Sequence, residues 1–216
     1  MLNKNIYPKG YGLTSFRIAL IFILLAHTTL LFSQSYTTIK SGDWNDPTIW
    51  SPAHPSGYPT SADQFITISN SHHVTVPANL SITADEMIIN GTLEITSNAS
   101  LTITNGPATD LQLTGTLNVY GTLKLSDQAT HTGLTSSNTT FYPGSRYSHL
   151  YTVTEGIIPS ASWNSTSTLE ITGYTTYSSA TASGNWNQSF GNVEWNCVLQ
   201  STRMKMNGLL QNITGN

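Results

Sequence analysis

Charge is what this sequence most lacks. Only 9% of its 216 residues are charged, where about a quarter is typical of a soluble domain. Hydrophobic content is an ordinary 38%, so the missing charge is replaced mainly by Ser, Thr and Asn. That excludes a helical bundle, which wants Leu, Ala, Glu and Lys. A Thr-rich, uncharged chain suits β-structure instead, because β-branched side chains fit a pleated, half-wet surface. Disorder is the rival reading, and regularly placed Ile, Leu and Val argue against it. Cysteine is nearly absent: Cys197 stands alone, which excludes an internal disulfide and suggests a small apolar side chain within a strand. No Gly-x-Ser-x-Gly, His-Glu-x-x-His, phosphate-loop or paired-cysteine motif occurs.

A surplus of positive charge is also missing. The net charge is −3. Lys4, Lys9 and Arg17 all lie in segment 1–33, which holds no acid, so segment 34–216 carries −3 − 3 = −6. A basic face for nucleic acid or anionic lipid is therefore not expected.

The apolar runs are short as well. The longest extends only from Ile18 to Phe32, below the ~20 residues that span a bilayer comfortably. It follows a basic segment and gives way at Ser33-Gln34 to polar sequence. This order is that of a secretory signal peptide, with cleavage expected after Ser33. The mature protein is expected to be secreted or held at the cell surface, touching membrane only through the leader.

What is present is a repeat. Ile89-Asn-Gly91-Thr92-Leu93-Glu-Ile95 returns as Leu113-Thr-Gly115-Thr116-Leu117-Asn-Val119, the glycines recurring at an offset of 115 − 91 = 24. Val119-Tyr-Gly121-Thr122-Leu123-Lys-Leu125 gives the phrase again, and Leu101-Thr-Ile103 precedes Leu123-Lys-Leu125 at an offset of 123 − 101 = 22. Each unit alternates apolar and polar residues, the period of a strand with one buried face. Recurrence at this period without a helical stretch points to a solenoid. The expected fold is all-β: a right-handed parallel β-helix, with Leu, Ile and Val inward and Thr, Ser and Asn outward. The glycines are read as corners that need a positive φ. An antiparallel sandwich also fits short, evenly spaced strands, but the close recurrence of Gly-Thr-Leu favours the solenoid.

Three segments follow: a signal peptide over 1–33, an N-terminal cap over 34–64, and coils over 65–216. The cap region holds Trp44, Trp50 and four prolines, and it is expected to cover the first open edge, which would otherwise pair with other chains. At Thr214-Gly215-Asn216 the rhythm of another coil is running, and continuation in a longer protein is expected.

The acids are scattered. Asp85 and Glu86 are neighbours, and neighbours on a strand face opposite ways. Glu94 and Asp110 are placed to meet on adjacent coils, but a glycosidase pair is not singled out, and solvated surface acids are the ordinary reading. Asp43 and Asp46 flank Asn45, where Ca²⁺ is the one ion left open, although these are also common turn residues. His72-His73 converge only in a turn. No catalytic residue is assigned. Aromatics remain: Trp163, Trp186, Trp195, Tyr142, Tyr147 and Tyr151 crowd the later half, with Trp163, Trp186 and Tyr147 taken as candidates to stack on sugar rings. Core packing is the alternative for each.

Gly42-Asp-Trp44-Asn-Asp-Pro-Thr-Ile-Trp50, with Pro59 and Asp63-Gln-Phe-Ile-Thr-Ile68, resembles the opening of solenoids in large secreted and cell-surface proteins of Bacteroidetes. It is loosely similar to the eight-glycine domain. Tyr147-Ser-His149, Ile158-Pro-Ser-Ala-Ser-Trp163, Ser167-Thr-Leu-Glu-Ile-Thr-Gly173 and Phe190-Gly-Asn-Val-Glu-Trp-Asn-Cys197 resemble later parts of the same proteins. The resemblance implies a β-helix, export by signal peptide, and passage across the outer membrane by the type IX export machinery. That last step uses a C-terminal sorting domain not found in this sequence. Two function classes follow. One is a non-catalytic stalk or adhesin whose partner is a carbohydrate or cell-surface polymer. The other is the N-terminal part of a polysaccharide-degrading β-helix lyase or hydrolase.

Overall fold

The computed structural model describes residues 34–126, 128–178, 184–206, 208 and 210–215, all within one compact unit, Ser33–Asn216. The leader assigned to residues 1–33 lies outside the described residues.

The chain winds as a parallel β-helix. A first, incomplete coil holds β1 (Tyr36–Thr38), β2 (Gly42–Asp43) and β3 (Trp50–Ser51). Complete coils follow: β4 (Ile66–Ile68), β5 (His73–Val76) and β6 (Ser81–Ala84); β7 (Met87–Ile89), β8 (Thr92–Ile95) and β9 (Ser100–Ile103); β10 (Leu111–Leu113), β11 (Thr116–Val119) and β12 (Thr122–Ser126). The next holds β13 (His131–Thr132), β14 (Thr139–Phe141) and β15 (Arg146–Leu150), then come β16 (Ser162–Trp163), β17 (Thr168–Ile171), β18 (Ser189–Phe190), β19 (Asn192–Trp195) and β20 (Asn212–Ile213).

Three sheets of six strands result. Sheet A stacks β1, β4, β7, β10 and β13; sheet B stacks β2, β5, β8, β11, β14 and β16; sheet C stacks β6, β9, β12, β15, β17 and β19. Every pairing among these is parallel. The sixth strand of sheet A is β3, which pairs antiparallel with β1 and occupies its outer hydrogen-bonding edge, where an unpaired strand would recruit other chains.

The repeat sets the register. Leu93 lies beside Leu117 and Leu101 beside Leu123, the partners that the two sequence offsets mark. In β8 and β11, Leu93, Ile95, Leu117 and Val119 are buried while Thr92, Glu94, Thr116 and Asn118 are half-exposed or exposed. Identical phases in successive coils let the inward side chains stack into one continuous core. Each fully buried Leu or Ile in it contributes about 2 kcal/mol.

The corner glycines are required for a different reason from the one the sequence suggests. Gly91, Gly115 and Gly121 do not have positive φ. They have no room: a Cβ on Gly115 would lie 1.8 Å from the Gly91 carbonyl oxygen, and one on Gly121 would lie 2.3 Å from those of Thr96 and Ala99. Neighbouring coils touch backbone to backbone at these corners. Other corners take the left-handed turn, with Asn79 at φ 66° and Asn98 at φ 64° on adjacent coils, the Asn79 N–H donating to the Asn98 carbonyl at 3.1 Å.

Over 34–64, Trp44 and Trp50 meet edge to face at 4.9 Å and are buried with Ile49. Trp50 Nε1 donates to the Trp44 carbonyl at 2.9 Å and Trp44 Nε1 to that of Pro59 at 3.1 Å, so both indoles bury without an orphaned donor. Further along, the core changes character. Leu123 and Leu125 are followed in register by Tyr147 and His149, and Val119 by Phe141 and then Trp163.

Candidate functional site

Sheet A ends at β13, a strand of two residues. Beyond it the chain from Tyr151 to Ala161 contains no strand, and the solenoid opens there into a cleft of about 510 Å³. Tyr151, Glu155, Gly156, Ile157, His131 and Ala129 are among the residues that line it.

The polar side chains behind this cleft form one network. The His149 imidazole is fully buried. Its Nε2 lies 2.7 Å from the Glu155 carbonyl and its Nδ1 3.0 Å from the Tyr147 hydroxyl. A carbonyl oxygen only accepts, so Nε2 carries the proton and Nδ1 accepts from Tyr147. Burial pushes the His149 pKa from 6.5 down to about 4, so the ring is neutral. Tyr174 also donates to the Glu155 carbonyl, at 2.7 Å. The Glu155 carboxylate accepts from Trp186 Nε1 at 2.9 Å, from the Gly184 N–H at 2.8 Å and from the Tyr177 hydroxyl at 3.1 Å. At the rim, His131 donates to the Ile157 carbonyl at 2.9 Å, and burial lowers its pKa too. These groups tie the 151–161 segment, Tyr174, Tyr177, Gly184 and Trp186 to one another and to the coil. A neutral, fully engaged histidine and a carboxylate holding three donors are poorly placed to move protons for a substrate.

The aromatics singled out from sequence lie in this network or in the core. Tyr147 is 0% exposed and Trp186 1%, so neither presents a face to solvent, and their rings serve packing. Trp163 is half-buried. One face stacks on Phe141 at 4.2 Å, Phe190 meets it edge-on at 5.2 Å, and its Nε1 donates to Gln188 at 3.2 Å. Tyr147 and Trp163 take register positions beside the buried Leu123 and Phe141, whereas Trp186 lies outside the strands and is held by its bond to Glu155. Tyr151 is likewise buried, whereas Trp195 is 40% exposed with its Nε1 on Gln200.

The acids are positioned as loop anchors. Glu94 and Asp110 do not meet: Glu94 faces outward on β8 beside Asn118, 3.7 Å from His73, while Asp110 is wholly buried at the corner before β10. There Oδ1 of Asp110 accepts from the Gly106 N–H, and Oδ2 accepts from the Thr130 N–H at 2.6 Å and hydroxyl at 3.0 Å. Glu86 takes the same corner one coil earlier, and its Oε1 accepts from the Ala108 N–H at 3.0 Å. Burial raises the pKa of both Asp85 and Glu86, and neighbouring acids including Asp110 add to it. This buried acidic corner was missed from sequence, although its signal exists: Asp110 follows Glu86 at the same offset at which Leu111 follows Met87, its register partner. On sheet C, Arg146 spans two coils, reaching Glu170 at 2.9 Å and Glu194 at 2.8 Å.

At the residues considered for ions, Asp46 caps the short helix Pro47–Ile49, accepting from the Thr48 N–H and hydroxyl, which lowers its pKa. His72 bonds Thr38 at 2.9 Å while His73 turns to Glu94, so the two rings diverge. Among the described residues no three His, Cys, Asp or Glu side chains converge as metal ligands would. Cys197 is half-buried, its thiol on the Ile171 carbonyl at 3.5 Å.

One aromatic pair does face outward. Tyr120 and Tyr142, each half-buried, follow β11 and β14 directly and stack at 4.1 Å with planes 12° apart. Beside Tyr120 lies a shallow cleft of about 330 Å³ lined by Ala78, Glu94, Thr96 and Ser97.

Comparison with known protein families, with curated proteins and with solved structures finds no match.

Proposed function

We propose that this chain is a non-catalytic β-solenoid segment of an exported cell-surface protein, a stalk or adhesin whose partner is a carbohydrate or cell-surface polymer. The observation that carries this reading is the use of the ionisable side chains. Asp110, Glu86 and Glu155 accept from backbone N–H groups and ring donors, Arg146 clips Glu170 and Glu194 across coils, and His149 is locked neutral. Their chemistry is consumed in holding coils and loops, which suits a rigid support.

The basic-then-apolar leader and the resemblance to Bacteroidetes surface proteins support export, with type IX passage as the route. Low charge and a hydroxyl-rich outer face suit a support surrounded by polysaccharide. Antibody labelling of intact, unpermeabilised cells tests the reading. Surface label that is removed by external protease is the expected result. Label confined to the cytoplasm or periplasm would overturn it.

A further inference from the structure

We infer that the face of Tyr120 opposite Tyr142 is a binding slot for one ring of a neutral polysaccharide. This rests on the carbohydrate-binding reading above and names the site.

Val76, Ile95, Val119, Phe141 and Trp163 are successive neighbours in sheet B. The residues that follow them, Pro77, Thr96, Tyr120, Tyr142 and Asn164, therefore form an outward column at the corner between sheets B and C, bonded coil to coil through Thr96, Tyr120, Tyr142 and Asn164. Coils are spaced by about 4.8 Å, close to the thickness of one ring, and Tyr142 covers one face of Tyr120 at 4.1 Å. On the other side the column offers Thr96, a small side chain whose hydroxyl turns back to the Val76 carbonyl at 2.8 Å. The place where a third ring would continue the stack is thus open, and the cleft beside Tyr120 lies there.

The walls define the occupant. Glu94 presents a carboxylate acceptor, with 26% of its side chain exposed, and Ser97 an exposed hydroxyl. A flat apolar floor with hydroxyl partners at its edge suits a pyranose, whose C–H face is apolar and whose rim is hydroxylated. A volume of about 330 Å³ stands at the small end of ligand sites, enough for one or two sugar units of a longer chain. The Glu94 carboxylate and the −6 charge of segment 34–216 repel uronates and sulfated sugars, so the sugar is neutral.

The test is titration of the purified chain with neutral cello-, xylo- and manno-oligosaccharides and with oligogalacturonate, alongside Tyr120→Ala and Thr96→Tyr. The first substitution removes the floor. The second fills the slot with a protein ring while leaving Tyr120 in place, so it stays informative if Tyr120→Ala disturbs the corner. Binding of at least one neutral series, none of oligogalacturonate, and a loss of about tenfold or more in both variants is expected. Neutral-sugar binding unchanged in both folded variants would overturn the slot and leave carbohydrate recognition standing elsewhere. A folded wild-type chain that binds no sugar would overturn the carbohydrate reading itself. Competition by an aromatic peptide stronger than by any sugar would overturn the occupant.

Discussion

Asp110 shows how much a single side chain holds here. It is buried and keeps three donors from two successive loops. Asp110→Ala orphans them in a dry corner, and a loss of about 2–4 kcal/mol is expected by chemical denaturation. Asp110→Asn, which retains one acceptor oxygen, should lose less. His149 gives the residue scale a pH signature. Its folded pKa is depressed to about 4 from 6.5, so the unfolded chain binds the proton more readily between those values. Stability from this group is whole above pH 6.5 and falls as pH drops toward 4, by about 3 kcal/mol. Asp85 and Glu86, raised by burial, act in the opposite sense at the acid end, and His131 in the same sense as His149. The comparison is therefore with His149→Gln, which keeps an acceptor and a donor but cannot titrate. Wild type should lose stability over this window more steeply than the variant. Parallel pH profiles would show that the buried imidazole does not control the slope.

At the scale of the element, the strands were legible and the corners less so. Period-two alternation and the recurring offsets fix which Leu and Ile face inward and which coils lie side by side. Glycines at different turns answer to different constraints. Gly115 has no space for a Cβ against the Gly91 carbonyl, whereas Gly144 sits at φ +76° in open space. Gly115→Ala should destabilise by more than about 3 kcal/mol, since backbone cannot yield as a side chain can. Gly144→Ala should cost only the left-handed backbone, about 1 kcal/mol. Thermal unfolding of the pair separates them, and equal effects would contradict the close contact. Aromatics were the hardest to place. Ring-rich segments read as exposed or buried with equal ease, and only the coil register decides. Tyr147 falls inward beside Leu123, while Tyr120, one residue beyond an inward valine, falls outward. Trp186→Ala should accordingly lower stability by about 3–5 kcal/mol, its indole being packed and bonded to Glu155.

For the whole molecule, a single winding rule distributes the chemistry. Inward positions build a core of stacked aliphatic side chains with rings at its first coil and in its later coils, corners take buried acids and tight backbone contacts, and outward positions carry hydroxyls, the Arg146 ladder and the Tyr120–Tyr142 stack. The solenoid was readable because its repeat is local in sequence. The acidic corner left only a faint trace, the offset that Glu86 and Asp110 share with Met87 and Leu111, and the neutral histidine left none, because it depends on the loop that carries Glu155 folding back to it. The most direct test of a non-catalytic support is to incubate the purified, folded chain with neutral and acidic polysaccharides and follow both new reducing ends and unsaturated products. Unchanged polymers over extended incubation are predicted. Turnover that is abolished by Glu155→Gln or Asp110→Asn in a variant that remains folded would contradict the account, because those carboxylates would then be doing chemistry as well as holding the coils.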